Sequence, residues 1–211
     1  DNLIFIGGIQ RSGTSLLRAI IGSHPEVSII QWDLPLWIKF HQIYKNKKFN
    51  SRNYQDLKKS LFHHEKMIKA DKKADPAFFD QLYGDQIDSW CSFHKAFFDY
   101  HSNLSDRPRA GLKTPFNEFY YEDIRHCFPH ANFIHVVRHP LDAASSYKKV
   151  KEKSWGGSTN FYHHIHQWKR SVKLGRSYQE KYPDQYRVIK YEDLLNDPEK
   201  ETRKICQFLA L

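Results

Sequence analysis

Near the amino terminus, Gln10-Arg11-Ser12-Gly13-Thr14-Ser15 sets a cation, three hydroxyls and a glycine side by side, with Gly8 five positions before Gly13. This is the composition of an anion cradle. Free backbone N–H groups, hydroxyl donors and a fixed positive charge are gathered into one small volume. A second pairing lies downstream, where Arg138 and Ser146 stand eight residues apart. If Arg138 closes a strand and Ser146 lies about two turns into the next helix, both reach one anion beside that helix. The chain therefore offers two candidate sites for negative charge.

The flanking pattern supplies the scaffold for these groups. Leu3-Ile4-Phe5-Ile6 is a short apolar run bounded by glycine, as a buried strand is. After Gly13, Leu16 with Ile20 and Leu17 with Ile21 pair one turn apart, giving a helix with a broad apolar face that Gly22 and Pro25 stop. Ala110–Thr114 reads as a short strand ending at Pro115, and Tyr121–Phe128 as a helix stopped by Pro129. Asn132–Val137 is a strand that leads into a helix opened by Pro140 and Asp142. Phe161–Tyr178 is a long helix with Trp168 on its inner face. Tyr186–Tyr191 is a further strand, followed after Asp197-Pro198 by a helix to Phe208. Alternating strands and helices imply an α/β fold, a parallel sheet with right-handed crossovers, and ligands beyond the carboxyl ends of the strands.

From Trp32 to Arg109 the spacing turns helical. Asn53–Lys69 reads as one amphipathic helix and Asp80–Leu104 as one or two more, forming a helical insertion over residues 33–109. Trp90, Phe93, Phe97, Phe98 and Tyr100 belong to its core. Lys45, Lys47, Lys48, Lys72 and Lys73 form solvated faces, Gly156-Gly157-Ser158 a flexible loop, and His63, His64, His163, His164 and His166 solvated faces rather than metal ligands.

At 211 residues the chain is read as one domain, residues 1–211. Its 33 Lys and Arg against 24 Asp and Glu give a formal charge of +9, which favours anionic ligands, acidic substrates, nucleic acid or an anionic membrane surface. Cys91, Cys127 and Cys206 support neither a disulfide framework nor a zinc site, though they leave room for a single bridge. There is no apolar run of about 18 residues, so the chain carries no membrane span.

Gly8 and Gly13 share the spacing of G-x-x-x-x-G-K-[ST], but Thr14 stands at the lysine position and the cation comes earlier, at Arg11, which argues against a triphosphate. Gly8-Ile9-Gln10-Arg11-Ser12-Gly13-Thr14-Ser15 instead resembles the 5′-phosphosulfate loop of the PAPS-dependent sulfotransferases, G-x-P-[KR]-[ST]-G-[ST]-[ST], with Gln10 in place of the usual proline. Arg138 to Ser146, R-x-P-x-D-x-x-x-S, is similar to that family's 3′-phosphate motif. Lys113-Thr114-Pro115 resembles its K-[TS]-P element and Tyr191-Glu192-Asp193-Leu194 its Y-E-D-L segment. The four occur in the family's order across Leu3 to Leu211. Gly7-Gly8, Leu17-Arg18-Ala19 and His24-Pro25-Glu26-Val27 lean toward the tyrosylprotein-sulfotransferase-like and bacterial branch.

The resemblance implies a three-layer, P-loop NTPase-like fold and in-line transfer of a sulfuryl group from 3′-phosphoadenosine 5′-phosphosulfate (PAPS) to an acceptor hydroxyl or amine, leaving adenosine 3′,5′-bisphosphate (PAP). It assigns Gln10, Arg11, Ser12, Gly13, Thr14 and Ser15 to the 5′-phosphate, Arg138 and Ser146 to the 3′-phosphate, and Tyr191 to the adenine side. Lys113 stands by the sulfuryl group and, with Arg11, counts as catalytic. No metal is implied. In the family a glutamate base follows the loop arginine by 21 residues; that position is Trp32 here, so the next residue, Asp33, is assigned as base, with His41 and Glu118 in reserve. The acceptor is left open among carbohydrate, peptide tyrosine, lipid and small molecules, with no nucleic-acid partner. The expected location is the cytoplasm, with the Golgi lumen as the alternative if an anchor was removed, and the carboxyl-terminal end is expected to be incomplete. A P-loop kinase or NTPase is the competing enzyme reading and a basic nucleic-acid-binding module the third, but the former lacks its lysine and magnesium-binding acid and the latter any nucleic-acid motif.

Overall fold

The computed structural model describes residues 2–30, 33–70, 74–150 and 160–211. Trp32, Lys72, Lys73 and Gly156-Gly157-Ser158 lie outside them. Five strands, β1 (Ile4–Gly7), β2 (Val27–Ile30), β3 (Arg109–Lys113), β4 (Asn132–Val137) and β5 (Tyr186–Lys190), form one parallel sheet in the order β2-β3-β1-β4-β5. β1 is central because both its faces are apolar. Alternate residues point to opposite sides: Leu3 and Phe5 join one hydrophobic cluster, Ile4 and Ile6 the other.

The Ile4 and Ile6 side is covered by α1 (Thr14–Gly22) through Leu17 and Ile21. Further along the chain α11 (Pro198–Leu209), which follows α10 (Tyr191–Asn196), covers it through Ile205 and Leu209. The Phe5 side carries the aromatic core. Phe5 lies edge-on to Phe98 at 5.5 Å and to Trp37 at 6.2 Å, and Phe128 closes the group. Each of these buried rings contributes roughly 1.5–3 kcal/mol.

The helices between β2 and β3 build that side. A π-helical turn at Leu36–His41 runs into α2 (Gln42–Tyr44), then come α3 (Ser51–Phe62), α4 (Glu65–Ala70), α5 (Pro76–Tyr83) and α6 (Trp90–Ser105). α3 begins where Asn50 accepts the Asn53 N–H, and α6 where Ser89 and Ser92 form a reciprocal capping box. The expected aromatic set on α6 is buried as read. After β3 come α7 (Tyr121–Cys127), α8 (Pro140–Val150) and α9 (Phe161–Lys181), with β4 lying between α7 and α8.

Two expectations change, one strand is added and the single bridge left open is formed. Val27–Ile30 is an edge strand with no counterpart among the expected elements, since Ser28 interrupts its apolar run, and the helical insertion follows it. The single helix at Asn53–Lys69 is two, interrupted at His63 and His64. His164 is buried, its ring stacked on Tyr147 at 4.7 Å, instead of facing solvent with His163 and His166. Cys91 and Cys127 form a disulfide between α6 and α7, their Cα atoms 4.9 Å apart, while Cys206 is free. That pairing joins residues 36 apart and leaves no local trace in the sequence.

Candidate active site

The site is assembled where β1, β3 and β4 end. β1 delivers the chain into a tight loop whose backbone is bent by three positive φ angles, at Gly8 (136°), Arg11 (68°) and Gly13 (105°). A side chain at Gly8 would place Cβ 2.4 Å from the Val136 carbonyl, and one at Gly13 would lie 2.2 Å from the Tyr191 ring. Only glycine fits either place. Gly13 then starts α1, so the helix's free N–H groups and positive end open onto the loop.

β4 delivers Arg138 and α8 delivers Ser146 to the same spot. Arg138 Nη1 donates to the Arg11 carbonyl at 3.3 Å, and Arg11 Nε donates to Ser146 Oγ at 3.1 Å. The Arg138 guanidinium lies over the Tyr191 ring at 4.6 Å. Its Nε is buried with no hydrogen-bond partner. From β3 comes Lys113, buried along its stem, whose Nζ donates to Ser15 Oγ at 3.3 Å and forms an ion pair with Asp33, just beyond β2.

Of the residues the sequence singles out, Gln10, Arg11, Gly13, Thr14, Ser15, Asp33, Lys113, Arg138 and Tyr191 line one cleft of about 510 Å³. Ser146 reaches it through Arg11. Ser12 is fully buried and does not line the cleft. The cleft therefore holds three cations, one carboxylate, two loop hydroxyls and an aromatic plate. Three cations beside the start of a helix, one of them with a buried guanidinium nitrogen left without a hydrogen-bond partner, fit an anionic ligand. No group of three or more His, Cys, Asp or Glu able to hold a metal occurs among the described residues.

The sequence profile of the sulfotransferase family matches residues 3–211. The chain belongs to that family. It is 23% identical to a putative protein-tyrosine sulfotransferase of Caenorhabditis briggsae over 214 residues, covering 100% of the chain and 66% of the relative. With the protein-tyrosine sulfotransferase of Drosophila melanogaster it shares 26% identity, covering 98% of the chain and 38% of the relative. The chain thus spans less than two thirds of the length of these two relatives. Its fold is that of the sulfotransferase domain of the Synechococcus PCC 7002 olefin synthase, with a TM-score of 0.57 at 23% identity over 99% of this chain and 73% of the other. It is also that of mouse sulfotransferase SULT7A1, solved in complex with PAP, with a TM-score of 0.54 at 15% identity over 99% and 58%.

The two reserve bases of this sulfotransferase-family chain do not line the cleft. His41 is buried among the helices after β2, its Nδ1 3.1 Å from His94 Nε2, and burial pulls its pKa down to about 4. Glu118, in the 3₁₀ turn Asn117–Tyr120 after β3, is fully buried, and its Oε2 accepts the Gly8 N–H at 2.7 Å. Burial pushes its carboxyl pKa up, while the hydrogen bonds from Ser171 and Gly8 oppose that. The sequence carried no signal for this role, since Glu118 and Gly8 are 110 residues apart.

Proposed function

We propose that this chain transfers a sulfuryl group from PAPS to a hydroxyl acceptor. The observation that carries the reading is the meeting of Arg11 and Arg138 in one cleft, with the glycine loop between them. The loop N–H groups, Arg11, Thr14 and Ser15 take the 5′-phosphate, and Arg138 with Ser146 takes the 3′-phosphate. Tyr191, lying against Gly13 and under Arg138, presents its ring to the adenine side.

In the reaction the acceptor oxygen forms a bond to sulfur as the bond from sulfur to the bridging phosphate oxygen breaks, and the electron pair leaves with PAP. Asp33 accepts the acceptor's proton, and Lys113 stands beside it to stabilise the negative charge that grows on the departing oxygen. As in phosphoryl transfer, alignment and charge neutralisation do most of the work. The ion pair of Asp33 with Lys113 keeps the two groups together in the cleft, where acceptor and donor would meet.

The relatives' names as protein-tyrosine sulfotransferases favour a peptide tyrosine as acceptor. No helix among the described residues is long and apolar enough to cross a membrane. The Cys91–Cys127 bridge supports an oxidising compartment over the cytoplasm. The test is transfer of labelled sulfur from PAPS to a tyrosine peptide and to its phenylalanine counterpart. Label on the tyrosine peptide with loss in Asp33→Asn is the expected result. Unlabelled tyrosine peptide together with a labelled carbohydrate or small alcohol would move the acceptor to another class, and no labelled acceptor at all would reject the transfer.

A further inference from the structure

Behind the phosphate loop, on the side away from the cleft, a line of buried polar groups crosses the sheet. Gly8 N–H donates to Glu118 Oε2 at 2.7 Å, and Ser171 Oγ donates to Glu118 Oε1 at 2.7 Å. Ser171 Oγ lies 2.9 Å from His135 Nε2, and the Tyr186 hydroxyl lies 2.9 Å from His135 Nδ1. Glu118, His135 and Tyr186 are completely buried and Ser171 nearly so. One assignment of protons satisfies the whole line: Tyr186 donates to Nδ1, Nε2–H donates to Ser171, and Ser171 donates to a carboxylate that also accepts from Gly8.

The surrounding backbone makes room for this line. A Cβ on Gly175 would come 2.4 Å from His135 Nδ1, and one on Gly7 would come 3.0 Å from the Glu118 backbone nitrogen. A carboxylate buried without a cationic partner is expensive, and an apolar side chain of its shape would be the cheaper filling. What the carboxylate provides that an apolar group could not is a fixed acceptor for one loop N–H.

The same face of α9 reaches the second anion pocket. Trp168, one turn before Ser171, donates from Nε1 to the Arg138 carbonyl at 2.8 Å. His164, one turn earlier again, stacks on Tyr147, the neighbour of Ser146. One helix face thus backs both the loop and the arginine.

We infer that Glu118 is a positioning residue, held by Ser171 and His135, that fixes the Gly8 N–H and with it the curvature of the phosphate loop, while Trp168 on the same helix face fixes Arg138. α9 thereby sets the spacing between the two anion pockets. The inference rests on the donor reading only for what the pockets hold. The position of Gly8 is a separate matter.

The test compares the whole chain with Ser171→Ala and Glu118→Gln, measuring hydrogen exchange at the Gly8 amide, the tautomer of His135 by nitrogen NMR, and calorimetric binding of adenosine 3′,5′-bisphosphate. Ser171→Ala deletes one hydroxyl and is expected to speed Gly8 exchange about tenfold and weaken the bisphosphate by a similar factor, the loss of one hydrogen bond's worth of order. Glu118→Gln keeps an acceptor at Gly8 by turning its amide nitrogen to Ser171. It should hold exchange and affinity within about threefold while moving the His135 proton from Nε2 to Nδ1. Gly8 exchange unchanged in Ser171→Ala, with only the melting temperature lowered, would overturn the inference. A wild-type chain indifferent to the bisphosphate, with Gly8 exchange still responding, would overturn the donor reading and leave the positioning role standing.

Discussion

Arg138 carries more of the proposed binding than any other side chain, because it touches the loop through the Arg11 carbonyl, covers Tyr191 and lines the cleft with a full positive charge. Arg138→Ala is expected to weaken adenosine 3′,5′-bisphosphate by about 2 kcal/mol, roughly thirtyfold, since a charge-assisted contact is removed. Calorimetry reading unchanged affinity would remove Arg138 from the site. Asp33→Asn is expected to lower turnover while leaving nucleotide affinity within a few-fold, because Asp33 serves the acceptor's proton and not the phosphates. Normal turnover on a tyrosine peptide would place the base elsewhere. The loop was legible because its cation, hydroxyls and glycines are contiguous, and Arg138 with Ser146 because a strand and a helix fix their spacing. The Asp33–Lys113 pair spans 80 residues and the Glu118–Gly8 contact 110, so no local pattern announces either.

At the scale of elements, long periodic segments and punctuated strands declared themselves, and short or cross-linked ones did not. β4, with its apolar and β-branched end, and α9, with 21 residues, were readable, whereas β2 is four residues whose pairing with β3 supplies the strand character. The break between α3 and α4 falls at two histidines, which are ordinary helix residues and give no stop signal. The bridge between α6 and α7 closes a 36-residue separation, which by loop-closure entropy is worth about 4 kcal/mol. Reductant is therefore expected to lower the urea midpoint without changing bisphosphate affinity, because neither helix lines the cleft. Identical unfolding curves with and without reductant would show the bridge to be unformed or without effect on stability.

For the molecule as a whole, buried histidines set the response to acid. Burial pulls His41 down to about 4, and His94 and His135 to about 3, from an ordinary value of 6.5. Each stays neutral in the folded chain and takes up a proton on unfolding below that ordinary value. Their stabilisation is therefore full above about pH 6.5 and is lost as the pH falls toward 4, by up to ~1.4 kcal/mol per unit for each. Glu118, with its carboxyl pushed up, acts in the opposite sense, one group against three. Urea unfolding is expected to show lower stability at pH 5 than at pH 7, and equal or greater stability at pH 5 would mean that these rings are not buried neutral. The formal charge of +9 adds self-repulsion in the same direction as acid brings more protons.

The central claim is that one cleft holds two phosphate groups of a single nucleotide, and comparing its affinity for adenosine 3′,5′-bisphosphate with that for adenosine 5′-monophosphate tests it most directly. The account predicts that the bisphosphate binds at least about tenfold tighter, the value of one added charge-assisted pocket, and that Arg138→Ala abolishes the difference. Equal affinity for the two nucleotides in the wild-type chain would contradict it.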